Sequence, residues 1–164
     1  YEVTVNVADL TIPGSVPVSA NYALTITDVN DAPTAVVLNN RLNARDEISP
    51  SGVAVKVADI AITDDALGTN TVTLSGADAA FFEVVGSELR LRAGTALNFE
   101  AKSAYNVTVN VADNSLAAPA VSANYTLLVN DVNEAPTAVA DTFSMNENTA
   151  LNGNILTNDV DPDG

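Results

Sequence analysis

This chain repeats itself, and the repeat limits its fold more than any other feature. Tyr1-Glu2-Val3-Thr4-Val5-Asn6-Val7-Ala8-Asp9 returns as Tyr105-Asn106-Val107-Thr108-Val109-Asn110-Val111-Ala112-Asp113, 104 residues on. Ser19-Ala20-Asn21-Tyr22 returns as Ser122-Ala123-Asn124-Tyr125, 103 residues on. One residue is therefore lost in the loop between the two blocks, where loops tolerate deletion. The joint that follows is repeated too: Asp28-Val29-Asn30-Asp31-Ala32-Pro33 returns as Asp131-Val132-Asn133-Glu134-Ala135-Pro136. A period near 100 residues is the length of one small β-sandwich. An oxygen-rich joint at that period predicts tandem modules with something bound between them.

The local patterns agree with that period. Tyr105, Val107, Val109 and Val111 alternate with Asn106, Thr108 and Asn110, the two-residue period of a half-buried strand. Tyr1, Val3, Val5 and Val7 repeat it, and Tyr125, Leu127 and Val129 match Tyr22, Leu24 and Ile26 on the next strand. The middle repeat reads as seven short strands. One lies near Thr34–Leu38 and a second over Val53–Ile62, where Val53, Val55 and Val57 keep one phase and Ile60 and Ile62 the other. That switch predicts a bulge near Ala58-Asp59. A third lies near Thr71–Ser75, with Val72 and Leu74 inward. Two more flank a tight turn at Gly86-Ser87, placing Phe82 and Val84 opposite Leu89 and Leu91. The alternating pair completes the set. No stretch shows a helical period. The fold class is all-β, a seven-stranded antiparallel Greek-key sandwich of immunoglobulin-like type, flanked by partial repeats. Residues 1–32 read as the last strands of a repeat, 33–136 as a complete one, and 137–164 as the first strands of another. Phe143, Leu151, Ile155 and Leu156 are the core candidates of that last segment. The chain reads as a piece of a longer polypeptide.

Charge narrows the partners. The chain of 164 residues carries 6 basic and 21 acidic side chains, a net charge of −15. That excess disfavours nucleic acid and anionic membrane surfaces and favours cations. No apolar run approaches the roughly 18 residues of a membrane span. There is no Cys and no His, so disulfides cannot cross-link the modules and zinc or copper sites lack their usual ligands. The usual nucleophile–base pairs are missing as well, and the chain reads as non-enzymatic. A carboxylate pair of glycosidase type is the one conceivable centre, yet the carboxylates gather at the joints. Oxygen ligands in number point to Ca2+, which takes six to eight of them, ahead of magnesium, which holds its waters. Single acids such as Asp59 and Asp78 read as turn formers. Tyr22 and Tyr125 share the inward phase and read as core. Arg90 and Arg92 read as a solvated face.

These residues resemble the cadherin repeat over the whole chain. The family's linker signature, Asp-x-Asn-Asp-Asn before a proline, looks like Asp28–Pro33 and Asp131–Pro136, each one residue shorter. Its Leu-Asp-Arg-Glu motif resembles Leu97-Asn98-Phe99-Glu100, with Asn98 in place of an acid. Its Asp-x-Asp-x-Gly-x-Asn element resembles Asp64-Asp65-Ala66-Leu67-Gly68-Thr69-Asn70, where Ala66 falls on the second acid position and Asp65 stands beside it. Asn158-Asp159-Val160-Asp161-Pro162-Asp163-Gly164 is similar to the acidic loop of bacterial cadherin-like adhesin repeats. The resemblance implies calcium sites shared between successive modules. The first joint would draw on Asn30, Asp31, Asp64, the backbone oxygen of Asn70 and Asp113, with Asp65 as a substitute for the acid that Ala66 replaces. The second would draw on Glu47, Asn98, Glu100, the carbonyl of Val132, Asn133, Glu134, Asp159 and Asp161, and it keeps the fuller set of acids. Two carboxylates about 4 Å apart repel by roughly 4 kcal/mol at an effective dielectric near 20, so a cation would stiffen a joint that otherwise splays. The family further implies an extracellular or cell-surface adhesin, with neighbouring repeats as partners and self-association or a surface glycan as further ones. The competing expectation is a carbohydrate-binding module of an extracellular polysaccharide-active protein. The lack of Trp weakens any stacking site for it.

Overall fold

The computed structural model describes residues 1–47 and 52–164. The chain divides into two compact units, Tyr1–Asn30 and Asp31–Gly164. The first is a single antiparallel hairpin of β1 (Glu2–Val7) and β2 (Val18–Ala23), with Val3 opposite Tyr22 and Val7 opposite Val18. Cross-strand bonds tie its polar face: Thr4 Oγ1 donates to Asn21 Oδ1 at 2.8 Å, and Ser19 Oγ donates to Asn6 Oδ1 at 2.5 Å. Its apolar face is uncovered. Val3, Val5 and Val7 are exposed, and Tyr22, expected in a core, is 61% exposed. Two strands cannot bury both sides of a pleat.

The second unit is the sandwich. β3 (Ala35–Asn39), β5 (Val55–Thr63), β8 (Glu88–Leu91) and β7 (Phe82–Val85) form one sheet in that spatial order. β4 (Ala44–Asp46), β10 (Val121–Asn130), β9 (Ala104–Asp113) and β6 (Asn70–Ser75) form the other. The chain changes sheet at every step from β3 to β7 and again between β8 and β9, giving an immunoglobulin-like Greek-key arrangement. The first expected strand, near Thr34–Leu38, is β3, which pairs antiparallel with β5, and β4 is an additional strand. Asn40, at φ +48°, turns the backbone, and β4 then pairs parallel with the end of β10. Every other pair is antiparallel.

The core forms where the alternation predicts it. Tyr105, Val107, Val109 and Val111 of β9 meet Tyr125, Leu127 and Val129 of β10, with Val36, Leu38, Val57, Phe82, Leu89 and Leu91 from the facing sheet. Each large apolar side chain removed from water contributes about 1.5–3 kcal/mol. Tyr125 is fully buried, and its hydroxyl donates to the Leu42 carbonyl, so it is a core residue with its polar tip satisfied. The phase switch in β5 is present: register slips between Lys56 and Ala58, one residue before the expected place. Val57 and Ala58 are consequently buried side by side. Val53 falls outside β5 and is exposed. The Gly86-Ser87 turn joins Phe82 and Val84 to Leu91 and Leu89, with Gly86 at φ +60°.

Residues 137–164 contribute one β-bridge, Thr137 with Val160, and no strand. Phe143, Leu151, Ile155 and Leu156, expected in a core, are exposed. The Phe143 ring lies where a Cβ on Gly153 would fall, 2.6 Å from its Cε1.

Candidate metal centres

β9 runs for about 30 Å at the usual rise per residue, and acidic loops gather at both of its ends. At the Ala104 end the organiser is Glu47, directly after β4. It is only 7% exposed. Its backbone N–H donates to the Asn130 carbonyl at 3.1 Å. Its carboxylate accepts two backbone N–H groups, Val132 at Oε1 (2.8 Å) and Phe99 at Oε2 (2.7 Å). One buried side chain thus ties the end of β4, the 97–102 loop and the segment after β10 together. Leu97 anchors that loop in the core. Asn98 then closes a turn, accepting from Ala101 N–H at Oδ1 (2.6 Å) and from Lys102 N–H at its carbonyl (2.9 Å). Glu100 projects from that turn. Glu134 N–H donates to Asp163 Oδ2 at 2.7 Å, which brings the last acidic loop into the same site.

Among the described residues two sets of carboxylate oxygens result, the members of each lying within 4.8 Å of one another: Glu47, Glu100 and Glu134, and Glu100, Asp131 and Asp163. Glu100 belongs to both. The charge is poorly compensated. Lost hydration, then the like charges of Glu47, Glu100, Asp163 and Asp131, holds the Glu134 carboxyl above its ordinary range. Lost hydration, then a hydrogen bond shared with Asp163 and the charges of Asp163 and Glu47, does the same to Asp131. Glu134 Oε2 and Asn158 Oδ1 are buried and accept no hydrogen bond. Such atoms carry a desolvation cost that a bound cation would relieve.

At the Asp113 end of β9 the acids are engaged by donors. Asp113 is 3% exposed, and its Oδ1 accepts from Ser115 N–H (2.8 Å) and Oγ (2.6 Å). Asp65 accepts from Asp31 N–H at Oδ2 and Leu67 N–H at Oδ1, both at 2.8 Å. Asn70 pairs with Asp113 across the sheet and donates from Nδ2 to Asp64 Oδ2 at 2.6 Å. Asp64 Oδ1 and Asn70 Oδ1 are buried without a hydrogen bond. Among the described residues this end holds no set of three converging carboxylates. Asn30 is the last residue of the other unit.

The structure places the remaining candidates as follows. Asn133 Nδ2 donates to the Glu134 carbonyl at 2.8 Å. Asn98 uses its side-chain oxygen to cap the turn. Asp159 accepts from Val139 N–H (2.8 Å) and Asp161 from Asp163 N–H (3.3 Å), and neither belongs to a converging set. Asp163 and Asp131 occupy those places instead. Neither belongs to the ligand set expected for this joint, although Asp131 opens the repeated joint and Asp163 continues the alternation of Asp159 and Asp161 as a further acidic oxygen.

A family described as Bacterial Ig domain matches residues 133–164. Protocadherin Fat 4 of Mus musculus is 28% identical over 155 residues, which is 83% of this chain and 3% of that protein. The cis-dimer structure of protocadherin gammaB7 EC3-6 is similar at 27% identity and a TM-score of 0.62, covering 83% of this chain and 33% of that one. The extracellular cadherin domains 1-5 of protocadherin gamma B2 are similar at 26% identity and a TM-score of 0.61, covering 84% and 26%. The chain thus spans a third or less of each. Among the described residues no helix is long and apolar enough to cross a membrane. Strand order, core and these likenesses together make the chain a carrier of a cadherin-like, immunoglobulin-like β-sandwich repeat.

Proposed function

We propose that this chain is a calcium-binding tandem module of a large extracellular adhesin, rigidified by calcium and serving in cell adhesion or as a spacer. One observation carries the reading: four carboxylates from three other chain segments crowd around Glu100, with Glu134 Oε2 buried and unpartnered. The donor set fits. It is all oxygen, and a hard divalent cation of high coordination number matches it better than magnesium. Glu47, Glu100, Asp131, Glu134 and Asp163 would hold the ion, with the Val132 carbonyl and Asn133 beside them. The ion would supply the positive charge that the cluster lacks.

The mechanism follows from where the acids come from. Glu47 and Glu100 belong to the sandwich, Asp131 and Glu134 to the joint, and Asp163 to the segment beyond it. Without compensation their mutual repulsion drives these segments apart. With it the same residues hold them in one orientation. The domain reading of 1–32, 33–136 and 137–164 belongs to this proposal, as do Asp31, Asp64, Asp65, Asn70 and Asp113 as a second, weaker site. Neighbouring repeats are the first partners. Self-association is the next, in line with the cis-dimer described for protocadherin gammaB7.

Small-angle scattering of a chain with two complete repeats tests the reading. Calcium should sharpen the profile toward one extended shape, and chelator should broaden it. Superimposable profiles, together with a flat calorimetric titration, would refute calcium rigidification.

A further inference from the structure

Glu100 is common to both carboxylate sets, so whatever fixes its turn fixes the site. The front of the turn is held by Glu47, which accepts from Phe99 N–H at 2.7 Å. The back is held by a pair outside the site. Lys102 Nζ lies 2.7 Å from Asp78 Oδ1, and Asp78 is 3% exposed. Asp78 Oδ2 accepts from Asn106 N–H at 2.8 Å, which fastens the pair to β9. The lysine ammonium also sits 5.3 Å above the Tyr105 ring, and Phe81 closes on that ring edge-on at 5.1 Å and 83°. Lys102 N–H completes the turn at the Asn98 carbonyl.

Burying a carboxylate to pair it with lysine is a poor route to stability, because lost hydration offsets most of the attraction. Its benefit is geometric: the pair admits one position of Lys102. We propose that Asp78 and Lys102 are positioning residues for the cation site, seating the Asn98–Lys102 turn so that Glu100 serves both sets. This rests on the calcium reading above.

The sign of one substitution separates positioning from simple electrostatics. Lys102→Met removes a positive charge two residues from a ligand, and Coulomb's law alone would make cation binding tighter. Positioning demands the reverse, a loss of about tenfold in calcium affinity, the scale seen when outer supports of a metal ligand are removed. Lys102→Arg, which keeps the charge and the reach to Asp78, should restore most of it. Lys56→Met, which breaks an ion pair with Asp59 on the outer sheet face, should leave affinity unchanged. The readout is calorimetric titration of the chain with calcium chloride, beside thermal melts in chelator. Unchanged or tighter binding in Lys102→Met with a lowered melting temperature would show a structural pair only and overturn the proposal. Should Lys102→Met fail to fold, Asp78→Asn with Lys102→Met, which leaves no charge unpaired, carries the same comparison. If the unaltered chain does not bind calcium, the calcium reading itself fails, and the two failures are distinguishable.

Discussion

At the Ala104 end of β9 five carboxylates converge with few donors among them, whereas at the Asp113 end Asp64, Asp65 and Asp113 already accept from an N–H, a hydroxyl or an amide. Asp65 takes Asp31 and Leu67 N–H, Asp113 takes both donors of Ser115, and Asp64 takes the Asn70 amide. The first end is held short of neutrality, and the second is largely satisfied by the protein. Hydrogen bonds to a carboxylate from fixed backbone donors do locally what a cation does between segments. The difference teaches that acid count does not rank the joints; the number of acids left without donors does. Calcium dependence should concentrate at the Glu100 end.

Glu47 tests that comparison most severely, because it is both a candidate ligand and a tie between loops. Glu47→Ala leaves the Phe99 and Val132 N–H groups without acceptors, at about 1–3 kcal/mol each. We expect a loss of about 2–4 kcal/mol in chelator and no measurable calcium binding at this end. Glu47→Gln should keep one or both backbone contacts and separate the two roles. Chemical denaturation with and without calcium measures them. A Glu47→Ala chain as stable as the original would show that this tie does not hold the loops.

pH provides the second test. A carboxyl whose folded-state pKa lies above its unfolded value binds its proton more tightly when folded. It penalises folding at high pH, and the penalty lifts as pH falls through the raised value toward the ordinary 3.8 of Asp131 and 4.5 of Glu134. In chelator, Asp131→Asn with Glu134→Gln should therefore melt higher than the original chain at pH 7, and the gap should close on acidification. Calcium should reverse the order at pH 7, because only the original chain retains all five carboxylates. Melting curves at a series of pH values check both statements. A gap that does not depend on pH would remove the electrostatic account of this end.

Much of this was legible in the residues, and the misses have physical causes. β9 and β10 could be read because period-two alternation on a sheet buried on one face reports burial directly. The bulge in β5 was readable because Val53, Val55 and Val57 keep one phase and Ile60 and Ile62 the other, so they cannot share one face without a slip. β4 was not readable: Ala44-Arg45-Asp46 has no alternation, and it becomes a strand only by pairing in parallel with residues 84 positions away. Phe143, Leu151, Ile155 and Leu156 are apolar without the partners that would bury them, so composition misplaced them. Glu47, Glu100 and Glu134 came from motifs tied to rigid elements. Asp159 and Asp161 are expected ahead of Asp163 from sequence because three alternate acids in one loop look equivalent until a backbone contact, here Glu134 N–H to Asp163, sets the register. Asn98, expected as a ligand that replaces an acid, also caps the turn from which Glu100 projects, a role that no motif signals.

The smallest expected effect concerns the far end, where Ala66 occupies the left-handed region at φ +68°. An alanine there costs about 1 kcal/mol relative to glycine, because its Cβ crowds the carbonyl. Ala66→Gly should thus stabilise the chain by about 1 kcal/mol and leave calcium binding as it was. Ala66→Asp should relieve less strain, since aspartate tolerates this region only better than alanine. It adds a carboxylate beside Asp64 Oδ1 and Asn70 Oδ1, which are buried without hydrogen bonds. If that end lacks only an acid, Ala66→Asp gains a second, weaker step in the calcium isotherm that Ala66→Gly does not show. If the two isotherms coincide, the donors already present at this end satisfy it, and its buried oxygens are not waiting for a cation.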